Sequence, residues 1–414
     1  MVLELGYGMG VQKVDVPDKN LMGVLVPNDI EKSMEWEQLV RRALDEPIGT
    51  GPLRSILSPE DKIVIVTSDI TRPMPTSAVM PLLLDELYAL GTKPENITLV
   101  FALGIHRGHT EQERIKLAGE RAFKEIRCVD SGSQGFVSLG KTTSGTPLDI
   151  CRIVAEADRR ICLGNIEYHY FAGYSGGAKA IMPGVATRDT IEANHSMMTH
   201  PKARAGVLEG NPIRSDIEEI IPYCHIDFIL NVVLDEHKKI VCAVAGHSIE
   251  AHREGCRFLD KMYRVKIDRP ADIVIASQGG HPKDINLYQT QKALDNANYA
   301  VRDGGIIILA GACGEGMGED IFERWMDEAK SPQDLIDRIE RQFELGGHKA
   351  AAIALVQKRA EVFLVSEMAE DKVRKMFMRP FSSIQKALED ALAEIGENAT
   401  VLVMPYGGST MPTI

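Results

Sequence analysis

No Cys-x-x-Cys pair occurs in this 414-residue sequence, and its seven cysteines stand singly. That usage suits a reducing compartment, where thiols act as small buried hydrophobes, rather than a disulfide framework. No apolar stretch approaches the roughly 20 residues that a membrane span needs. The longest, such as Ile306 to Ala310, are strand-sized. The opening MVLELGYGMG lacks a basic segment followed by an apolar run, so no secretory leader is expected. Positive charge is not in excess: 59 acidic against 47 basic residues give a formal net charge of −12, which argues against a nucleic-acid partner. A few local cations can still shape a cleft for an anionic substrate. There is no internal repeat at a fixed period and no low-complexity segment. The expectation is a cytoplasmic globular chain with no membrane or nucleic-acid partner. At about 150 residues per domain it should form two or three domains.

What the chain does have is alternating strand and helix patterns. Ser33 to Leu44 has helical spacing. KIVIVTSD, Lys62 to Asp69, is a nearly continuous β-branched run, the mark of a strand buried on both faces. Its carboxyl end delivers Ser68, Asp69, Thr71 and Arg72. A helical pattern over Ala78 to Leu90 leads to a second buried strand, Ile97 to Gly104, followed by Ile105, His106, Arg107, Gly108 and His109. Arg159 to Asn165 supplies a third strand. Strand, helix and strand in succession indicate parallel α/β units, whose strand carboxyl ends are where ligands bind.

At Asp268 a polar, proline-containing lead-in opens a fresh strand, so the domains are expected to be residues 1–267 and 268–414. The second has a helix at Asn286 to Val301 and strands at Gly304 to Gly311, Glu361 to Ser366 and Thr400 to Pro405. The expected fold class is α/β: two α/β domains with mainly parallel sheets and an active-site cleft between them.

The third strand runs into Gly164 to His195, GNIEYHYFAGYSGGAKAIMPGVATRDTIEANH, around which the rest is organised. Gly173, Gly176 and Gly177 precede a predicted helix start, where free N–H groups suit a phosphate. On glycines alone, a phosphate cradle and a tight structural turn are equally supported. It is not a Walker A loop, because Gly and Lys are not adjacent and no Ser or Thr follows Lys179. Lys179, between two alanines, reads as a solvated lysine or as an amine made nucleophilic by desolvation. His106, His169 and His195 read as acid/bases or as metal ligands, for zinc or for nickel, copper or iron. His109 reads as a supporting residue. Gln289 and Lys292, three apart on one helix, share a face that would hold a carboxylate or simply be wet. The GACGEGMGE turn from Gly311 lacks the spacing of a dinucleotide loop.

The run His169, Ala172-Gly173-Tyr174-Ser175-Gly176-Gly177, Lys179, Pro183-Gly184, Asn194-His195 resembles the signature of the nickel-dependent lactate racemase family. So do Ser68 to Pro73 (SDITRP), Gly104 to Arg107 (GIHR), Asp284 to Ala297 and the terminal PYGGSTMP, so the resemblance covers nearly the whole chain. It implies an isomerase, a racemase or epimerase of 2-hydroxy acids. The implied cofactor is a nickel-pincer nucleotide, a pyridinium-3,5-bisthiocarboxylic acid mononucleotide of nickel. In that reading His195 ligates the metal, and Lys179 lies against a thioacid arm, to which some members bond it covalently. The glycine turn with Ser175 holds the nucleotide, and Asp69 packs on its side of the cleft. His106 and His169 are the two acid/bases, while Arg72, Tyr288, Gln289 and Lys292 bind substrate. Cofactor-making enzymes would be required partners. One departure, Tyr168 where proline is frequent in the family, touches the mouth of the site.

The chemistry asks for those parts. Removing the α-proton of a 2-hydroxy carboxylate would set a second negative charge beside the first, whereas removing hydride leaves a neutral ketone. Two imidazoles on opposite sides, titrating near neutrality, suit inversion. Two other readings use the same residues: a zinc hydrolase built on His106, His169 and His195, and a non-catalytic carrier of the nickel nucleotide.

Overall fold

A computed structural model of the chain describes residues 1–30 and 34–414. Ser33 lies outside the described residues, and the helix expected from it runs over Trp36–Asp45. The chain divides into two compact units, Glu31–Asp260 and Met1–Ile30 with Lys261–Ile414.

The first of these is built on a six-stranded sheet. Its order is Ile240–Gly246, Phe228–Leu234, Arg159–Ile166, Ile63–Ser68, Ile97–Ala102, Arg127–Asp130. All neighbours are parallel except the hairpin of Phe228–Leu234 with Ile240–Gly246. The β-branched run at Ile63 to Val66 is buried on both faces, as its lack of alternation requires. Helix Thr76–Ala89 packs Val79, Met80, Leu83 and Leu87 into the core against Ile63, Ile65 and Leu99.

From Ile63–Ser68 the chain moves outward through Ile97–Ala102 to Arg127–Asp130, then returns to place Arg159–Ile166 on the opposite side. The strand order therefore reverses between Ile63–Ser68 and Arg159–Ile166. In open parallel sheets such a reversal leaves a crevice beyond the strand carboxyl ends. Asp69 and Glu167 immediately follow those two strands.

The other unit has a wholly parallel sheet in the order Arg379–Phe381, Ala360–Val365, Val301–Ala310, Ala271–Ser277, Val401–Met404, Leu21–Val24. Its last strand comes from the N-terminus, which corrects the expected 1–267 domain. Val2–Tyr7 and Gly10–Asp15 form a hairpin whose Leu5 and Val14 are buried with Ile273, Ile306, Phe363 and Val401. The physical reason is alternation: one apolar face of that hairpin needs a sheet, and the sheet it covers is formed by residues far away in sequence.

Candidate active site

Two strand ends meet at His106. The ring Nδ1 lies 2.7 Å from Asp69 Oδ2 and donates to it, while Thr71 Oγ1 donates to Asp69 Oδ1 at 2.8 Å. Burial pushes the Asp69 carboxyl upward, but the His106 hydrogen bond and charge, with Thr71 and Arg72, outweigh it and hold the group below its ordinary value. An imidazole whose Nδ1–H is bound to a carboxylate has its lone pair on Nε2. Asp69, expected on the cofactor side of the cleft, also orients His106.

His109 is a supporting residue. Its Nδ1 donates to Asp130 Oδ1 at 2.6 Å, its Nε2 accepts the Ile70 N–H at 3.1 Å, and its side chain is buried against Phe101. It ties together the same strand ends that carry Asp69 and His106.

The organising stretch folds into a hairpin pair, Tyr168–His169 with Gly173–Tyr174, followed by one short 3-10 turn, Gly177–Ala180, and helix Arg188–His195. The helix N-terminus expected after the glycines is not formed. The Gly177 N–H donates to Asn231 Oδ1 at 2.8 Å rather than facing outward as a helix-start donor. The glycines are required by packing. At Gly173, with φ +78°, a Cβ would lie 2.2 Å from the Val207 carbonyl oxygen, and at Gly176 one would lie 2.8 Å from Asn231 Oδ1. Ser175 Oγ donates to the Asn165 carbonyl at 2.8 Å and accepts from the Glu167 N–H at 2.9 Å. His252, buried beneath the turn, accepts from Arg253 at Nδ1 and so donates from Nε2 to the Ser175 carbonyl at 2.8 Å. Gly176, Gly177 and Ser175 thus form a braced platform that presents Lys179.

Lys179 Nζ lies 3.3 Å from His169 Nε2, and His169 Nδ1 accepts the Ala172 N–H at 3.2 Å. Burial, then the charges of Lys179, His195, Arg72 and Arg214, hold the His169 imidazole well below its ordinary value. Burial, then Arg214 and Arg72, do the same to the Lys179 amine. Phe171 sets its ring edge-on to both His169 and His195, with centroids 4.5 and 4.7 Å away. His195, the last residue of its helix, donates from Nδ1 to Asn194 Oδ1 at 2.9 Å. Arg214, fully buried, donates to the carbonyls of Ala172 and Tyr174. Desolvation brings its guanidinium down to about 10.

Phe171, Asn194, Arg214, Asn231 and His252 went unread in the sequence. Only the Asn194-His195 pair in the family signature marked any of them.

In the other unit, helix Leu287–Ala297 carries Tyr288, Gln289 and Lys292, with Asn286 capping the Gln289 N–H. The glycine-rich turn after Gly311 is a cap of the same helix: the Gly316 and Met317 carbonyls accept the Leu287 and Tyr288 N–H groups at 2.9 and 3.1 Å. Lys349 Nζ sits 4.9 Å over the Tyr288 ring and donates to Gln291 Oε1 at 2.7 Å. Among the described residues, no group of three or more His, Cys, Asp or Glu side chains is placed to hold a metal ion. No helix among the described residues is long and apolar enough to cross a membrane.

Strand-end imidazoles, a desolvated amine and a sheet reversal stand together in one α/β unit. The sequence matches the patterns described as lactate racemase N-terminal domain over residues 7–206 and lactate racemase C-terminal domain over residues 266–411. It is 38% identical to a lactate racemase of Thermoanaerobacterium thermosaccharolyticum, across 99% of this chain and 98% of that protein. It is 33% identical to one of Lactiplantibacillus plantarum, across 98% of each. The solved lactate racemase apoprotein of T. thermosaccharolyticum superposes with a TM-score of 0.92 at 37% identity over all of both chains. A Thermotoga maritima protein, 19% identical over 93% of this chain and 100% of its own, shares the fold with a TM-score of 0.66. The chain belongs to the lactate racemase family and is an isomerase.

Proposed function

We propose that this racemase inverts C2 of a small 2-hydroxy acid, lactate being the compound for which its relatives are named, with a nickel-pincer nucleotide as its cofactor. The fit to that group rests on two observations. His195, with Nδ1–H committed to Asn194, offers Nε2 as a lone-pair donor of the kind that nickel accepts. Lys179 holds a desolvated amine at the end of the glycine platform, suited to contact or bond with a thioacid arm. Asp69 supports the site from the His106 side, and Gly173, Ser175, Gly176 and Gly177 shape the backbone on which the nucleotide would rest. When bound, the nucleotide supplies hydride acceptance and hydride return at carbon.

The protein's own part is proton handling and orientation. His106 takes the substrate hydroxyl proton at Nε2, and Asp69 stabilises the imidazolium formed. His169 serves the opposite face and exchanges a proton with the same oxygen after the keto acid has turned. Arg72 binds the carboxylate, as do Tyr288, Gln289 and Lys292. The observation that carries this reading is the pairing of His106 with Asp69 at 2.7 Å at a strand end of a lactate racemase fold. Enzymes that build the cofactor are needed for activity, so protein made without them should be inactive.

The test is racemisation of one enantiomer by cofactor-loaded enzyme in deuterated water. The expected product carries its original hydrogen at C2, and the His106→Ala and His169→Ala variants each lose racemisation. Solvent deuterium at C2, or full activity in both variants, would overturn the proposal.

A further inference from the structure

We propose that Asp216 is a positioning residue which, through Asn194, fixes the tautomer of His195 and so keeps Nε2 as its donor nitrogen. The proposal rests on the reading of His195 as the nickel ligand. The relay itself stands on geometry alone.

Asn194 is fully buried. Its side-chain nitrogen lies 2.8 Å from Asp216 Oδ2 and 3.3 Å from the Ile213 carbonyl oxygen. Both neighbours are acceptors only, so this end of the amide must be the NH2. The amide oxygen is therefore the atom 2.9 Å from His195 Nδ1. An amide oxygen cannot donate, so the proton between them belongs to Nδ1. A neutral imidazole has one N–H, which leaves the lone pair on Nε2.

Asp216 is the anchor of this chain. It is fully buried, on helix Pro212–Glu218, and its second oxygen accepts from Thr142 Oγ1. Thr142 in turn accepts the Thr146 N–H at 3.1 Å, in the turn between strands Phe136–Lys141 and Pro147–Cys151. A buried carboxylate is costly unless its oxygens are hydrogen-bonded, and here one oxygen is spent on orienting an amide that touches a single histidine. In Asp216→Asn the Thr142 hydroxyl draws the new amide oxygen to itself, which sets an NH2 against the Asn194 NH2 and leaves only the Ile213 carbonyl, at 3.3 Å, to hold it. The Asn194 amide could then reverse, accept nothing from Nδ1, and drive the imidazole proton to Nε2. Outer partners of this kind commonly alter metal affinity about 10–100-fold.

The experiment uses the full-length protein without cofactor, with 15N-labelled histidine, and reads long-range 1H–15N couplings of the His195 ring. The wild type is expected to show protonated Nδ1 and bare Nε2. Asp216→Asn is expected to shift His195 toward protonated Nε2, and Asp216→Glu to keep the wild-type tautomer. A wild-type ring protonated at Nε2 overturns the relay whatever the variants do, as does an Asp216→Asn protein that folds and keeps the wild-type tautomer. In a second arm, enzyme loaded with the nickel-pincer nucleotide is dialysed and its nickel measured. Asp216→Asn should lose nickel about 10–100-fold faster than wild type. If His195→Ala retains nickel as well as wild type does, the ligand reading fails and the metal role of Asp216 fails with it, while the tautomer result still reports on the relay.

Discussion

Lys179 Nζ and His169 Nε2 are 3.3 Å apart, on a ring whose Nδ1 already accepts the Ala172 N–H. That pair of contacts constrains the protonation of both residues. With Nδ1 accepting, the neutral imidazole must carry its proton on Nε2, so Nε2–H points at the lysine nitrogen and requires a lone pair there. An ammonium has none. The geometry fits a neutral amine beside a neutral imidazole, and burial, the largest cause for each, lowers the proton affinity of both.

Lys179 should accordingly behave as a reactive amine near neutrality. In cofactor-free protein, formaldehyde with a borohydride reductant should methylate Lys179 at pH 7 with little change up to pH 9. Surface lysines, with an ordinary value near 10.4, should speed up about tenfold per pH unit over that range. Peptide mass spectrometry follows both, and a Lys179 rate that rises with pH as the surface lysines do would contradict the neutral amine.

Asp69→Asn should lower kcat by about 10²–10⁴ in the cofactor-loaded enzyme. Thr71 Oγ1 donates to Asp69 Oδ1, so it will draw the asparagine oxygen to itself and turn the NH2 toward His106. The imidazole must then accept at Nδ1 and loses its base at Nε2. Steady-state racemisation checks this; unchanged kcat would mean that Asp69 does not set the tautomer of His106.

Acid should weaken the fold before carboxylates are reached. His169 is held well below 6.5 chiefly by burial, and His252 by burial and Arg214. The unfolded chain binds these protons at about pH 6.5 and the folded chain does not, so stability falls as pH drops through that value. Each histidine contributes a slope of up to about 1.4 kcal/mol per pH unit below it. Urea titrations from pH 7.5 to 5 should show the decline, and His252→Gln, though less stable at pH 7, should show a shallower one.

Gly173→Ala should cost roughly 2 kcal/mol or more, because it combines a left-handed backbone with a Cβ driven into a carbonyl. The contact is with Val207, at 2.2 Å. Gly135, whose φ is +78° but whose Cβ would meet open space, isolates the backbone cost. Gly135→Ala should destabilise measurably less in the same thermal melts.

Much of the architecture was written locally. The β-branched runs at Ile63 to Val66 and Ile306 to Ile308 have no polar residue to face water, so they could only be buried strands of parallel sheets. The polar residues after the strands had to gather at one sheet end. The signature from His169 to His195 carried the family. The sequence also pointed to Asp69, His106, Lys179 and His195, since each stands at an element end beside glycine or another polar group.

Tertiary structure decided which groups each of those residues touches. An imidazole has two equivalent-looking nitrogens, and only its neighbours choose between them. For His195 the choice passes to Asn194 and on to Asp216, 22 residues beyond Asn194, and for Gly177 the N–H is held by Asn231, 54 residues away. The phosphate-friendly glycine turn became a packed platform because Asn231 and His252 fill the space beneath it. The first thirty residues joined the far sheet because Leu21–Val24 finds its partner strand at Val401–Met404. Local pattern fixes which groups exist and where the chain must bury apolar surface. Hydrogen-bond direction, and with it proton position, is set by groups that only the folded chain brings together.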